Sequence, residues 1–116
     1  MAKVIVNGFP GNLPYTLDYV PESDSPITLF FTGSAYAKVD EVKIGLEVAI
    51  NGETVATSFI FSNGLGSHRA FVPTTVPYTF PVKVVNGEVQ PVKITFTALN
   101  SETFFDQNDA ITLMVI

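Results

Sequence analysis

The sequence predicts an all-β fold: an antiparallel two-sheet β-sandwich, jelly-roll-like, with about eight strands. Three observations carry that reading. Segments rich in Val, Ile, Thr, Phe and Tyr recur along the chain, the composition of short strands. Eight Gly and eight Pro separate them from end to end. An Asn-Gly pair, Asn51-Gly52, divides two long alternating runs as a tight hairpin would. With 116 residues and no linker, low-complexity run or repeat, the chain reads as a single domain over 1–116, large enough to bury its own core.

Strands are expected near 3–7, 15–20, 26–32, 42–50, 53–61, 68–73, 76–84, 91–99 and 109–116. The pair 42–50 and 53–61 is the clearest. Asn-Gly suits a type I′ turn, whose two central residues both need positive φ. Pairing Ile50 with Glu53 carries the register on to Val48–Val55, Leu46–Thr57, Ile44–Phe59 and Val42–Phe61. All of these fall on one face. A helix starting at Ser34 would align Val39, Val42, Leu46 and Ala49, but Gly45 and the β-branched residues weigh against it. The second pair, Asn86-Gly87, is expected to lie in a longer loop over 85–91. A tight turn there would set core residues against surface ones, whereas Val84–Val92, Val82–Ile94 and Phe80–Phe96 match core to core.

Composition narrows the function. Six basic and 11 acidic residues give a net charge of −5, with no Lys/Arg cluster to meet phosphates, so nucleic acid is excluded as a partner. No apolar run approaches the ~20 residues that span a bilayer. The start, MAKVIVNGFPGN, is too polar for a signal peptide's apolar centre, and the compartment stays open. Cysteine is absent, which removes disulfides, thiolate zinc sites and thiol nucleophiles. Charged residues are only 15% of the chain against a usual ~25%. So little charge implies that some of the outside meets another protein, and a homo-oligomer is expected.

Few residues offer chemistry. His68 is the only histidine, and no GxSxG-type elbow presents a serine to it, so a small hydrolase is a remote alternative. Arg69, the only arginine, is expected to find a carboxylate or to anchor an interface. Asp106, Asn108 and Asp109 could offer oxygen to calcium, but their spacing is not that of an EF-hand loop. The reading adopted is that their side chains accept nearby backbone N–H groups and shape the entry to the last strand. No cofactor is therefore expected. Asn63 and His68, in the SNGLGSH loop, join Tyr36, Tyr78 and Arg69 as candidates for contacting a carbohydrate or protein ligand.

The Gly33-Ser34-Ala35 entry, the IGLEVAINGETVATSFIF hairpin, the HRAFVP strand and the apolar last strand together resemble the tumour necrosis factor-like jelly rolls. That resemblance implies compact trimers used for binding. Asn108-Asp109 before an apolar terminal strand is similar to calcium-dependent small β-sandwich lectins. The expected function is a non-enzymatic binding or assembly module, a symmetric oligomer with lectin-like ligand binding. The alternative is a purely structural self-assembling subunit.

Overall fold

A computed structural model describes residues 3–61 and 68–116, with the His68 side chain outside that description. Among the described residues eleven strands run in chain order: β1 (Lys3–Gly8), β2 (Tyr15–Tyr19), β3 (Ile27–Ala37), β4 (Lys43–Ile50), β5 (Glu53–Phe61), β6 (His68–Val72), β7 (Tyr78–Phe80), β8 (Val84–Val85), β9 (Glu88–Val89), β10 (Val92–Ala98) and β11 (Ile111–Val115). One sheet has the order β1-β11-β3-β6, with β7 also on β3, and the other has the order β2-β10-β4-β5. All of these pairings are antiparallel. The chain thus alternates between two sheets, as a jelly roll does. No helix among the described residues is long and apolar enough to cross a membrane.

Alternation builds the core. Ile27, Leu29 and Phe31 of β3 point inward with Ile111, Leu113 and Val115 of β11. They meet Leu46, Val48, Ile50, Val92, Ile94 and Phe96 of the other sheet. Phe31 and Phe96 join the layers edge to face, ring centroids 5.3 Å apart at 81°, a geometry that the ring quadrupoles favour.

The strand β3 runs to Ala37, longer than the sequence suggests, and no helix starts at Ser34. Its far edge is shared by β6 at residues 33–37 and β7 at residues 27–29. Pro73 and Pro77 interrupt the partner, since neither can donate an N–H to the ladder. Thr75 bridges the gap: its N–H donates to the Phe31 carbonyl at 2.9 Å, and its Oγ1 accepts the Phe31 N–H at 2.9 Å.

Two registers differ from expectation. The first hairpin does turn at Asn51 (φ 50°) and Gly52 (φ 89°), and Ile50 does pair with Glu53. One residue later the strands slip: Ala49 pairs with Thr54 but Val48 with Ala56, leaving Val55 as a bulge. The expected Val48–Val55, Leu46–Thr57, Ile44–Phe59 and Val42–Phe61 pairs are therefore replaced beyond the turn. A bulge reverses the faces of everything after it. Ile60 now turns inward beside Ile44, and Ser58 donates to the Pro73 carbonyl. Phe59 and Phe61 are left on the solvent side.

The second correction concerns Asn86 (φ 51°) and Gly87 (φ 79°), which form a tight turn after all. Val85 pairs with Glu88 and Val84 with Val89, as a separate two-stranded ribbon. The expected long loop and the Phe80–Phe96 and Val82–Ile94 pairs do not form. Both edges of β10 are already occupied, by β2 and β4, so β7 has no place there. Phe80 pairs instead with Ile27 in the opposite sheet.

Candidate functional site

The outer face of the β1-β11-β3-β6 sheet collects most of the residues with functional potential. The connection from β10 to β11 crosses from one sheet to the other and closes over one end of β3. Its backbone pairs with β3 beyond the end of β11. Phe104 and Tyr36 exchange N–H···O bonds of 2.9 and 2.8 Å, and the Ser34 N–H donates to the Ala110 carbonyl at 2.9 Å. Thr103 Oγ1 accepts the Gly45 N–H at 3.1 Å and donates to Asn100 Oδ1 at 2.8 Å. Gly45 itself must be glycine because of its other neighbour, β5: a Cβ there would lie 2.3 Å from the Ser58 carbonyl oxygen and 2.9 Å from Phe59 Cα.

Within this closure Asp109 is completely buried. Its Oδ1 accepts the Ser34 hydroxyl at 2.8 Å and Arg69 Nε at 2.8 Å, while Oδ2 accepts the Asp106 N–H at 2.9 Å. The same Ser34 Oγ accepts the Ala110 N–H at 2.9 Å. Arg69 reaches across β3 to hold Asp106 as well, Nη2 to Oδ1 at 2.9 Å. Asp106 Oδ1 also accepts the Asn108 N–H at 2.9 Å, an Asx turn. The guanidinium lies 5.0 Å from the Tyr36 ring centroid, and Tyr36 stacks on Phe104 at 5.7 Å and 29°. Lys38 Nζ sits 4.2 Å from the Phe104 centroid and ends the stack.

The structure therefore brings together Asp106, Asp109, Arg69 and Tyr36 from among the residues singled out in the sequence. The cation between the two carboxylates is Arg69. Among the described residues no group of three or more His, Cys, Asp or Glu side chains converges as metal ligands would. The Asn108 side chain is exposed and only its backbone N–H joins the turn. Tyr78 lies elsewhere, stacked on Phe80 at 6.1 Å. Asn63 and the His68 side chain fall outside the described residues. A cleft of about 450 Å³ lies beside the closure, lined by Asn12, Leu13, Ala98, Thr103, Phe104 and Phe105. Its Thr103 hydroxyl is already engaged, as above.

Further along the same face the character changes. Val4 pairs with Met114 and Met114 with Phe30, a cross-strand row of three apolar side chains on the solvent side. Val4 is 52% exposed, Val76 beside the β3 edge 83%, and Phe71 of β6 70%. Threonines flank the row: Thr28 bonds Thr79 at 2.6 Å, and Thr112 donates to Asn7 at 3.2 Å. No outward residue of this part of the face, over Thr28–Thr32 of β3 and Thr112–Met114 of β11, carries a charge. Sequence reading missed this row, although its signal was legible. Phe30 in ITLFFT and Met114 in ITLMV occupy the polar phase of strands whose other phase is fully apolar.

No protein-family model matches the chain, and no curated protein matches it either. Among solved structures it is similar to part of dimeric latent PorU from Porphyromonas gingivalis, with a TM-score of 0.56 at 7% identity. That match covers 98% of this chain and 12% of the longer one, so the shared feature is the β-sandwich fold of one segment.

Proposed function

We propose that this chain is a non-enzymatic β-sandwich module that works by protein contact, and that its partner is a second copy of itself. The observation that carries the reading is the charge-free apolar row Val4–Met114–Phe30 on an open sheet face, with the exposed Val76 at the same edge of β3. Each copy carries a net charge of −5, so two copies repel at most orientations. Meeting through the part of the face that lacks charge minimises that repulsion, and a two-fold dimer uses one self-complementary patch twice. At ordinary sheet spacings the four strands across, β6 and β7 sharing one edge of β3, offer a face about 19 Å wide and about 20 Å long. That places the contact toward the small end of specific interfaces, so a dimer of micromolar strength is expected.

A lectin-like role draws less support. A sugar site needs unengaged polar groups converging on a cleft, and both oxygens of Asp109 and Oδ1 of Asp106 are engaged by Arg69, Ser34 and backbone N–H groups. Sedimentation velocity across the micromolar range tests the assembly reading. A dimer is expected, and Val4→Glu with Val76→Glu should return it to monomer without lowering the melting temperature, both positions being exposed. A wild-type monomer throughout that range overturns the proposal. A double variant that still dimerises overturns the choice of face.

A further inference from the structure

Asparagine followed by glycine is chemically labile. The glycine amide nitrogen attacks the asparagine Cγ, the Cγ–Nδ2 bond breaks, ammonia leaves and the amide proton is lost, giving a succinimide. Water then opens the ring to aspartate or isoaspartate. No oxidant, metal or enzyme is needed. The ring can close only when the asparagine side chain and the following amide are free to approach each other.

The chain contains a matched pair for this reaction. Ile50-Asn51-Gly52-Glu53 and Val85-Asn86-Gly87-Glu88 have nearly the same local sequence, a β-branched residue before and Glu after. Their backbones also agree: φ is 50° and 89° at the first pair and 51° and 79° at the second. All four residues are exposed, so access of water does not separate them. What separates them is tertiary structure. Asn51 is fastened to β10 twice, its N–H donating to the Lys93 carbonyl at 2.8 Å and its Oδ1 accepting the Lys93 N–H at 2.9 Å. The second bond immobilises the very amide group that must rotate toward Gly52. Asn86 makes no side-chain hydrogen bond to any described residue, and its turn caps strands only two residues long. Asn7, which also precedes a glycine, is held within β1 with its Oδ1 accepting the Thr112 hydroxyl.

We propose that Asn86 is a site of spontaneous succinimide formation in the native protein, converting to isoaspartate and aspartate while Asn51 is protected by Lys93. The product gains a negative charge, and isoaspartate inserts a methylene into the main chain. A two-residue type I′ turn does not tolerate that extra atom, so the β8–β9 ribbon opens. That ribbon is a separate sheet, so the sandwich keeps its pairing. The modification thus remodels one projecting hairpin and leaves the rest of the fold intact.

The test is peptide mapping by mass spectrometry of the whole protein after incubation in mildly alkaline buffer, native and in urea. Combined digestion after Lys, Arg and Glu places Asn51, Asn63 and Asn86 in three separate peptides, so Asn63-Gly64 is followed on its own. In the native protein the Asn86 peptide should gain one dalton at least about tenfold faster than the Asn51 peptide, the factor that two hydrogen bonds of ordinary net strength impose. In urea the two rates should converge, because the local sequences match. Equal native rates, faster reaction at Asn51, or an unreactive Asn86 would each overturn the proposal. A difference that persists in urea would also overturn it, since local sequence and not the Lys93 clamp would then be the cause. Melting should be unchanged after conversion at Asn86, and a marked loss of sandwich stability would contradict the separate-ribbon argument.

Discussion

The Asp109 carboxylate accepts the Ser34 hydroxyl at 2.8 Å across 75 residues of chain, and this bond fixes how β11 enters the sheet beside β3. Ser34 relays the contact by accepting the Ala110 N–H, so one hydroxyl ties both the side chain and the backbone of the incoming strand. Arg69 completes the arrangement from the other edge of β3. A buried carboxylate held by three donors is stable as long as every donor is present, and costly once one is removed.

Arg69→Ala should therefore destabilise the protein more than its surface position suggests. Arg69 is partly exposed and can be lost without a cavity, but Asp109 stays fully buried without its cation. The expected cost is about 3 kcal/mol, read from urea denaturation. Arg69→Lys should recover only part, because one ammonium cannot hold Asp106 and Asp109 with the planar fork of Arg. A loss under about 1 kcal/mol, the range of an exposed ion pair, would show that Asp109 is not held as described.

Gly45→Ala and Gly52→Ala separate two reasons for glycine. At Gly52 there is open space and φ is +89°, so the penalty is conformational, about 1–2 kcal/mol. At Gly45 the obstacle is backbone of β5 at 2.3 Å, which cannot rotate away, and the cost should reach about 3 kcal/mol or more. Gly52→Val should be worse than Gly52→Ala, since β-branching further penalises positive φ. Equal melting temperatures for the Gly45 and Gly52 alanine variants would contradict the close approach of β4 and β5.

Most strands were legible because period-two alternation and turn residues agree over β3, β4, β10 and β11. What the sequence hid depends on contacts distant along the chain. The bulge at Val55 leaves Ile50–Glu53 intact and reverses Phe59 and Ile60, and no local pattern marks it. The partner of β7 was misjudged because apolar matching of Phe80 with Phe96 ignores that β10 already has two neighbours. At the candidate site, the Asx turn at Asp106 follows from local chemistry. The link from Asp109 to Ser34 does not, because it exists only once β11 lies beside β3.

The Lys3–Glu22 pair offers a contrast at the surface. The hydrogen bond and charge of Lys3, 2.5 Å away, hold the Glu22 carboxyl below its ordinary pKa, and Glu22 in turn raises that of Lys3. The Glu22 contribution is present above its unfolded pKa and is lost as pH falls through the lowered folded value. The Lys3 contribution is present below its unfolded pKa and is lost as pH rises through the raised folded value. Both groups are exposed and screened, so Glu22→Gln should leave the melting temperature at neutral pH unchanged while removing the shifted carboxyl titration from NMR. A clear fall in melting temperature would mean the pair fastens β1 more firmly than solvent-exposed charges can.

Calcium distinguishes a structural 106–109 segment from an ion site. With Arg69 between Asp106 and Asp109, a divalent cation would have to displace the guanidinium and leave it facing the ion as a like charge. A site saturated at a hundred times its dissociation constant would add about 2.7 kcal/mol to stability. The expected result is no change in melting temperature in millimolar calcium, with or without chelator. Asp106→Ala should still cost about 1–2 kcal/mol through the lost Asn108 N–H and Arg69 bonds. Asn108→Ala should cost little, since its side chain is solvent-facing and only its backbone is engaged. A rise in calcium that chelator reverses and Asp109→Ala abolishes would overturn this account. It would require Arg69 to swing away from both carboxylates, which a shift of the single arginine Nε–H resonance in NMR would register independently.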